Sequence, residues 1–476
     1  MVSLLFLATL TLSGQVSPTT VGVPSASALY EQGIAAERKN DLSGARAAYE
    51  AAVERDPRLA VAHDRLGFVL GRQGHTQEAL ACFERAVQLV PELFDAQYHL
   101  GATRWWTKDL DGAATALQAA VALQPAHAEA RYYLGLTYKQ QGRLADAIEQ
   151  LTKAAQAGPA IPAMQLQLGV ALLAAGAPDA AIHSLRKAVE LDPSSLEAQN
   201  NLGLALMQSG VAEESIATFK ALIERAPRDV TARINLGTAL MQRGDLAAAV
   251  EVLRGACALQ PETAEARYNL GLALKQQDDF ASAEKELRRA VELDPTLPEA
   301  TYTLGVVLWQ TGRSDDAERA FRQAIERRED FVDAHYMLAT VLRQRGAIDE
   351  ALAELRTTIR LRPTSAEAQL SLGQLLAQKG DSAASVAALA EAERLNGRKA
   401  DAEASTFAVG VGMKKLESQD VAGAIERFRE AIRLAPENAK AHYQLAMALR
   451  RTGAEREAQV HLDEARRLAP YLRMTP

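Results

Sequence analysis

Aromatic residues make up only 5 % of this chain, cysteine occurs twice, and basic residues do not outnumber acidic ones. Each shortage excludes something. Cys82 and Cys257 are too few and too far apart for a disulfide framework or a CxxC metal site, and are read as buried small apolar residues. With 53 basic against 60 acidic residues the formal charge is -7, which leaves no basic footprint for DNA or RNA, so nucleic acid is not expected as a partner. The eight histidines are scattered, without HExxH or any paired metal spacing, and are expected as solvated helix residues. No Walker loop, GxSxG or Rossmann fingerprint occurs; Gly410-Val411-Gly412 lacks both a third glycine and a preceding strand. No catalytic residue, metal or small-molecule cofactor is therefore assigned, and no enzymatic activity is expected.

Long apolar runs are missing too. The stretch Leu4 to Leu12 is well short of the roughly 20 residues a membrane-spanning helix needs, but it has the length and order of a signal-peptide hydrophobic region. No Lys or Arg precedes Arg38, so the usual positive start is absent. Residues 1–25 are read as a leader, cleaved or anchoring, in a bacterium-like cell. A real leader implies a periplasmic or extracytoplasmic protein; without it the chain is cytoplasmic. Gln15 stands where a lipoprotein box would carry its lipidated cysteine, which excludes lipid anchoring there.

What the chain has in abundance is alanine, within a composition that is 48 % hydrophobic and 24 % charged, and it repeats itself. AEARYYLGLTYKQQGRL at 128–144 returns as AEARYNLGLALKQQDDF at 264–280, and the offset of 136 residues is four times 34. Stepping by 34 from Ala128 gives starts at 26, 60, 94, 128, 162, 196, 230, 264, 298, 332 and 366 without an insertion. Position 8 of these units is Gly except for Ala339; position 20 is Ala except for Ser215 and Ser385; position 27 is Ala except for Leu222 and Thr358; position 32 is Pro except for Glu329 and Gly397. Positions 20 and 27 lie two helical turns apart, so their small side chains form one stripe that admits a neighbouring helix, with position 8 as the matching notch. Pro at 32 ends the second helix of the unit, and glycines near position 15, such as Gly74, Gly142, Gly210, Gly244, Gly312, Gly346 and Gly380, end the first. Each unit thus reads as a helix, a short turn and an antiparallel helix.

This pattern resembles the tetratricopeptide repeat family, with its small residue at 8, Ala at 20 and 27, and Pro at 32. After Lys399 the phase slips by five residues, 400–404, and two more units follow at 405 and 439. The expected organisation is a leader at 1–25, repeats 1–11 at 26–399, an insertion at 400–404, repeats 12 and 13 at 405–472 and a tail at 473–476. Asn396-Gly397 is read as a helix stop and Asp401 as a cap of repeat 12's first helix, with a change of direction there. The resemblance implies an all-α solenoid, a right-handed superhelix whose first helices line a concave groove. It carries no extra polar helix after its last unit, so the C-terminal edge is expected either to be solvated by Arg466 and Arg467 or to pack on a partner or a second copy.

In the family, positions 2, 5, 6, 9, 12 and 13 of the first helix look into the groove. Here position 2 is mostly acidic, position 13 is often Gln, and position 5 carries Tyr98, Tyr132, Tyr268, Tyr302 and Tyr336. Asn201, Asn235 and Asn269 occupy position 6 of three successive units; amides offer a donor and an acceptor to an extended peptide backbone, and this column looks like part of the asparagine ladder of O-GlcNAc transferases. The plainer reading, that these are simply the family's common residues there, stands beside it. Trp105 and Trp106 occupy positions 12 and 13 of repeat 3, with Trp106 the candidate anchor. A carboxylate clamp is not supported, because position 9 is mostly apolar and only Arg65 is basic at position 6. The expected function is a non-catalytic scaffold that binds extended peptide segments of other proteins in the groove, with two alternatives: the substrate-recognition subunit of a glycosyltransferase, or an assembly factor of a secretion or pilus system.

Overall fold

The computed structural model describes residues 24–469, which fall into two compact units divided at Ala157/Gly158. Most of the expected leader, the 473–476 tail and the last residues of repeat 13 lie outside the described residues. Each unit is a stack of antiparallel helix pairs, and no strand occurs among the described residues, so the chain is an all-α solenoid. The first unit holds eight helices, from Ala26–Arg38 to Leu144–Ala157; the second begins with Pro162–Ala174 and ends with Glu455–Leu468.

Local chemistry sets the ends of these helices. Ser25, Ser195, Asp229, Ser365 and Asn438 precede first helices and accept from the backbone N–H three residues on; Asp41, Asp109, Asp279, Asp381 and Asp420 do the same for second helices. Second helices close on an extended residue before position 32, as at Asp56 (φ -137°, ψ 94°) and Asp192 (φ -134°, ψ 86°), where the following proline disfavours helical backbone. The turn between the helices of a pair needs one left-handed residue at position 15. Glycine supplies it nine times, but Asn40, Lys108, Asp278 and Gln419 adopt the same conformation, with φ between 56° and 68°.

Position 24, which carries no glycine or proline signal, anchors the core. In repeat 7 a Cβ added at Gly237 would lie 2.6 Å from Leu253 Cγ, so the glycine at 8 and the large apolar residue at 24 occupy one space between the two helices. The small residues at 20 and 27 are fully buried in the same seam, for example Ala249 and Ala256. Side chains at position 4 tie consecutive repeats together by reaching the carbonyl at position 32: Gln97 donates to Pro91 O at 2.9 Å, Gln199 to Pro193 O at 2.8 Å and Arg267 to Pro261 O at 2.8 Å. His63, His335 and His442 fill the same place and are buried, against the expectation of solvated histidines: the carbonyl that ends the preceding helix draws the ring in. Cys82 and Cys257 are free and half-buried; burial pushes the Cys82 thiol up to about 11.

The junction of repeats 11 and 12 also departs from the expected one. No helix stops at Asn396-Gly397 and none starts at Asp401. Ser382–Glu417 is a single helix of 36 residues that serves as the second helix of repeat 11 and the first of repeat 12. Proline is missing from position 32, where Gly397 stands, and the run Ala400-Asp401-Ala402-Glu403-Ala404 favours helix, so nothing breaks the backbone there. The chain therefore does not turn back between these repeats. One buried cluster runs from Ile216 to Leu376 and a separate one from Ala408 to Ala465. None of the described helices, this one included, is long and apolar enough to cross a membrane.

Candidate binding surface of the first helices

First helices of successive repeats touch one another, as Val230–Arg243 touches Ala264–Gln276 in the second unit and Ala60–Arg72 touches Phe94–Trp106 in the first, while second helices show no contact of that extent. The first helices are therefore the more crowded side of each stack, and their side chains at positions 5 and 6 face each other across repeat boundaries. Asp64 meets His99 Nδ1 at 2.8 Å, Asn235 Nδ2–H donates to Asn200 Oδ1 at 2.9 Å, and the hydroxyls of Tyr336 and Ser371 lie 3.4 Å apart. Thr303 hydrogen-bonds Tyr268 in the same way, and the Tyr98 and Tyr133 rings are 6.2 Å apart.

These contacts decide how the expected groove residues stand. Asn269 is only 8 % exposed; its Nδ2–H donates to Glu265 O and its Oδ1 accepts from Thr238. Asn201 is half-buried and donates to Glu197 O, within its own helix. The three asparagines are thus bonded within the chain, and Asn200, which the sequence did not single out, completes their contact. Tyr302 packs between Phe321 and Phe331, with ring centroids 5.8 and 4.9 Å away. Burial pushes the phenols of both Tyr98 and Tyr302 up to about 12. Tyr132 lies edge-on to Tyr133 at 5.6 Å.

What remains open is position 13. Gln208, Gln242, Gln276, Gln310 and Gln378 are exposed, one to each first helix, with exposed Glu197, Glu265 and Glu367 at the other ends of their helices. Two further acids of that second row, Glu299 and Asp333, are paired with Arg328 at 2.6 Å and Arg362 at 2.9 Å. Gln344 accepts from Trp309 Nε1 at 2.9 Å, and these two with Phe280, Gln310, Gly312 and Ser314 line an open cleft of about 580 Å³. In the first unit Trp106 is 68 % exposed and stands edge-on to Trp105 at 5.0 Å, which in turn packs on Tyr133.

Family models of tetratricopeptide repeats match residues 19–60 and 107–162, 60–93, 169–210 and 415–470, and the model described as the C-terminal domain of cilia and flagella-associated protein 70 matches 195–408. The chain is a tetratricopeptide repeat protein. No curated protein matches it. Among solved structures it is similar to a thermophilic tetratricopeptide repeat protein of Thermus thermophilus, at 26 % identity over 38 % of this chain and 99 % of that one, with a TM-score of 0.35. A MamA protein matches at 28 % identity over 35 % of this chain and 92 % of its own, TM-score 0.33, and yeast Tom70 at 16 % over 94 % and 99 %, TM-score 0.39. This tetratricopeptide repeat protein offers, on its first helices, a polar and partly acidic surface studded with exposed amides. Among the described residues no group of three or more His, Cys, Asp or Glu is placed to hold a metal ion.

Proposed function

We propose that this chain is a non-catalytic protein-interaction scaffold whose first helices hold an extended segment of another protein along the row of glutamines at position 13. The observation that carries this is the row itself: Gln242, Gln276 and Gln310 are exposed in three successive repeats, and each amide offers both a donor and an acceptor at the period of the stack. The cleft lined by Phe280 and Trp309 supplies an apolar wall beside it, a place for one side chain of the bound segment. Glu197, Glu265 and Glu367 favour a segment of neutral or basic composition.

A photo-crosslinking residue placed in turn at Gln242, Gln276 and Gln310, with controls at Arg254 and Lys285 on second helices, tests the reading. Adducts confined to the first-helix positions, whose sites on the captured segment advance steadily from repeat to repeat, support it. Adducts from the second-helix controls alone overturn it. An extracytoplasmic location belongs to the same proposal only through residues 1–25, and the intact mass of the protein from its own cell decides whether they are removed.

A further inference from the structure

The 36-residue helix leaves two apolar faces without the neighbours that other repeats have. Position 24 is buried in every other unit, yet Leu389, at 24 in repeat 11, is 37 % exposed. Position 21 is buried where it is Ile148, Ile182, Ile216, Val250 or Leu352, yet Val386 is 67 % exposed. In those units the next repeat covers the face; after repeat 11 the helix runs on instead of turning back. On the far side of the junction Phe407, at position 3 of repeat 12, is 74 % exposed, where the corresponding Ala96, Ala130, Ala232, Ala266 and Ala300 are fully buried. Lys414 stands at position 10, taken by small or apolar residues elsewhere, such as Ala273 and Val307. Phenylalanine and lysine at the two places that dock on a preceding repeat make repeat 12 a poor fit to the open face of repeat 11, even if the helix were to break.

Leu389 and Phe407 are 407 − 389 = 18 residues apart, about five turns at 3.6 residues per turn, so they share one side of the helix; Val386 lies about a sixth of a turn away. That side carries the exposed aliphatic pair Val386 and Leu389 near one end, the exposed ring of Phe407 near the other, and Ala400 between them beside Glu393, Asn396 and Glu403, with Gly397 at its edge. We propose that this side is the interface of a two-fold symmetric dimer, in which the long helices of two copies pack antiparallel about residue 398 and Phe407 of each covers Val386 and Leu389 of the other. A two-fold axis makes such a surface its own complement, because each copy supplies one exposed ring and one exposed aliphatic pair. Gly397 and Ala400 allow close approach at the axis. Packing about 398 sets Glu393 of each copy opposite Glu403 of the other, so added salt, which screens these carboxylates, is expected to tighten the dimer. A helix of 36 residues is about 54 Å long and presents a side about 10 Å wide, so roughly 1,000 Å² is buried in total, the lower end for a specific interface. The dimer is accordingly reversible, with a dissociation constant of about a micromolar or weaker.

Sedimentation equilibrium on the full chain tests this. The mass is expected to rise from 51.3 kDa at low concentration toward twice that value, 102.6 kDa, at high concentration. Phe407→Glu alters an exposed position and Leu389→Lys one that is 37 % exposed but lies against Gly373; each alone weakens association at least ~10-fold, with helix content by circular dichroism unchanged. Mixed in equal amounts, they regain association, because the mixed dimer keeps one Phe407–Leu389 contact and gains one Glu–Lys pair. If Leu389→Lys loses helix content, Val386→Lys takes its place. A chain that stays monomeric throughout, a dimer indifferent to both substitutions, or a mixture no tighter than its components each overturns the proposal.

Discussion

Asn235 of repeat 7 donates to Asn200 of repeat 6 at 2.9 Å across 35 residues, and the same spacing recurs in Asp64–His99 and Tyr336–Ser371. Positions 5 and 6 thus stitch consecutive repeats together, and Asn235 and Asn269 of the asparagine column are part of the stitching. Asn200→Ala and Asn235→Ala are expected to be non-additive: each costs about 1 kcal/mol, and the double variant costs less than their sum by about 0.5 to 1 kcal/mol. Hydrogen exchange localised to repeats 6 and 7 checks this, since stability in a stacked array is local. Full additivity would show that the two amides do not act on each other.

Two glycine substitutions separate two physical demands. Gly237→Ala pushes a methyl into Leu253 and is expected to cost about 1–3 kcal/mol, less once Leu253 is also made smaller. Gly312→Ala meets nothing within 4 Å, but its φ of 80° is left-handed, so it costs about 1–2 kcal/mol from the backbone alone and no neighbouring change relieves it. Gly312→Asn costs less than Gly312→Ala, because asparagine tolerates this conformation, as Asn40 does at the same position. Local exchange protection of repeats 7 and 9 reads both effects.

The period, the glycine notch at 8, the alanine stripe and the proline stop were legible because each is an intrinsic property of one residue type repeated in phase. Lys108 and Gln419 hid their left-handed turns because neither residue favours that backbone; the flanking helices impose it. The candidate site was less legible than the fold. Asn269 and Asn201 share a position, yet one is buried and the other half-buried, because the neighbouring side chain is Thr238 in one case and differs in the other. Exposure is decided between repeats, which a single repeat's sequence does not contain. The glutamines at 13 were visible, but not that they would be the amides left open.

Alkaline pH gives a third test. Tyr98 and Tyr302 are raised from 10.0 to about 12 by burial, so the folded chain holds these protons more tightly than the unfolded chain does. Their contribution to stability is complete below pH 10 and is lost as pH rises from 10 through about 12. Tyr49, buried and donating to Glu37, is raised in the same direction. Tyrosinate absorbance is expected to appear in two classes, an ordinary one and a late one, with the late class collapsing into the first in denaturant. A single class near pH 10 in the native protein would contradict the burial of these rings.

Gly397→Pro distinguishes the continuous helix from the junction that the sequence suggests. At position 32 of nine of the first eleven repeats proline is native and harmless, because the chain has already left the helix by then. In repeat 11 the same position lies in the middle of Ser382–Glu417, where proline removes a backbone hydrogen bond and its ring clashes with the carbonyl of Glu393, four residues earlier. The substitution is therefore expected to cost about 3 kcal/mol locally and to abolish exchange protection around 393–401. It also tilts Phe407 away from the side that carries Leu389, so association of two copies should weaken with it, without any change at the contact residues themselves. If the chain instead left the helix before 397, as it does at Asp192 before Pro193, the same proline would be neutral or stabilising and protection on both sides of it would survive. The sign of the stability change separates the two arrangements, and no other substitution in the junction reverses sign between them so directly.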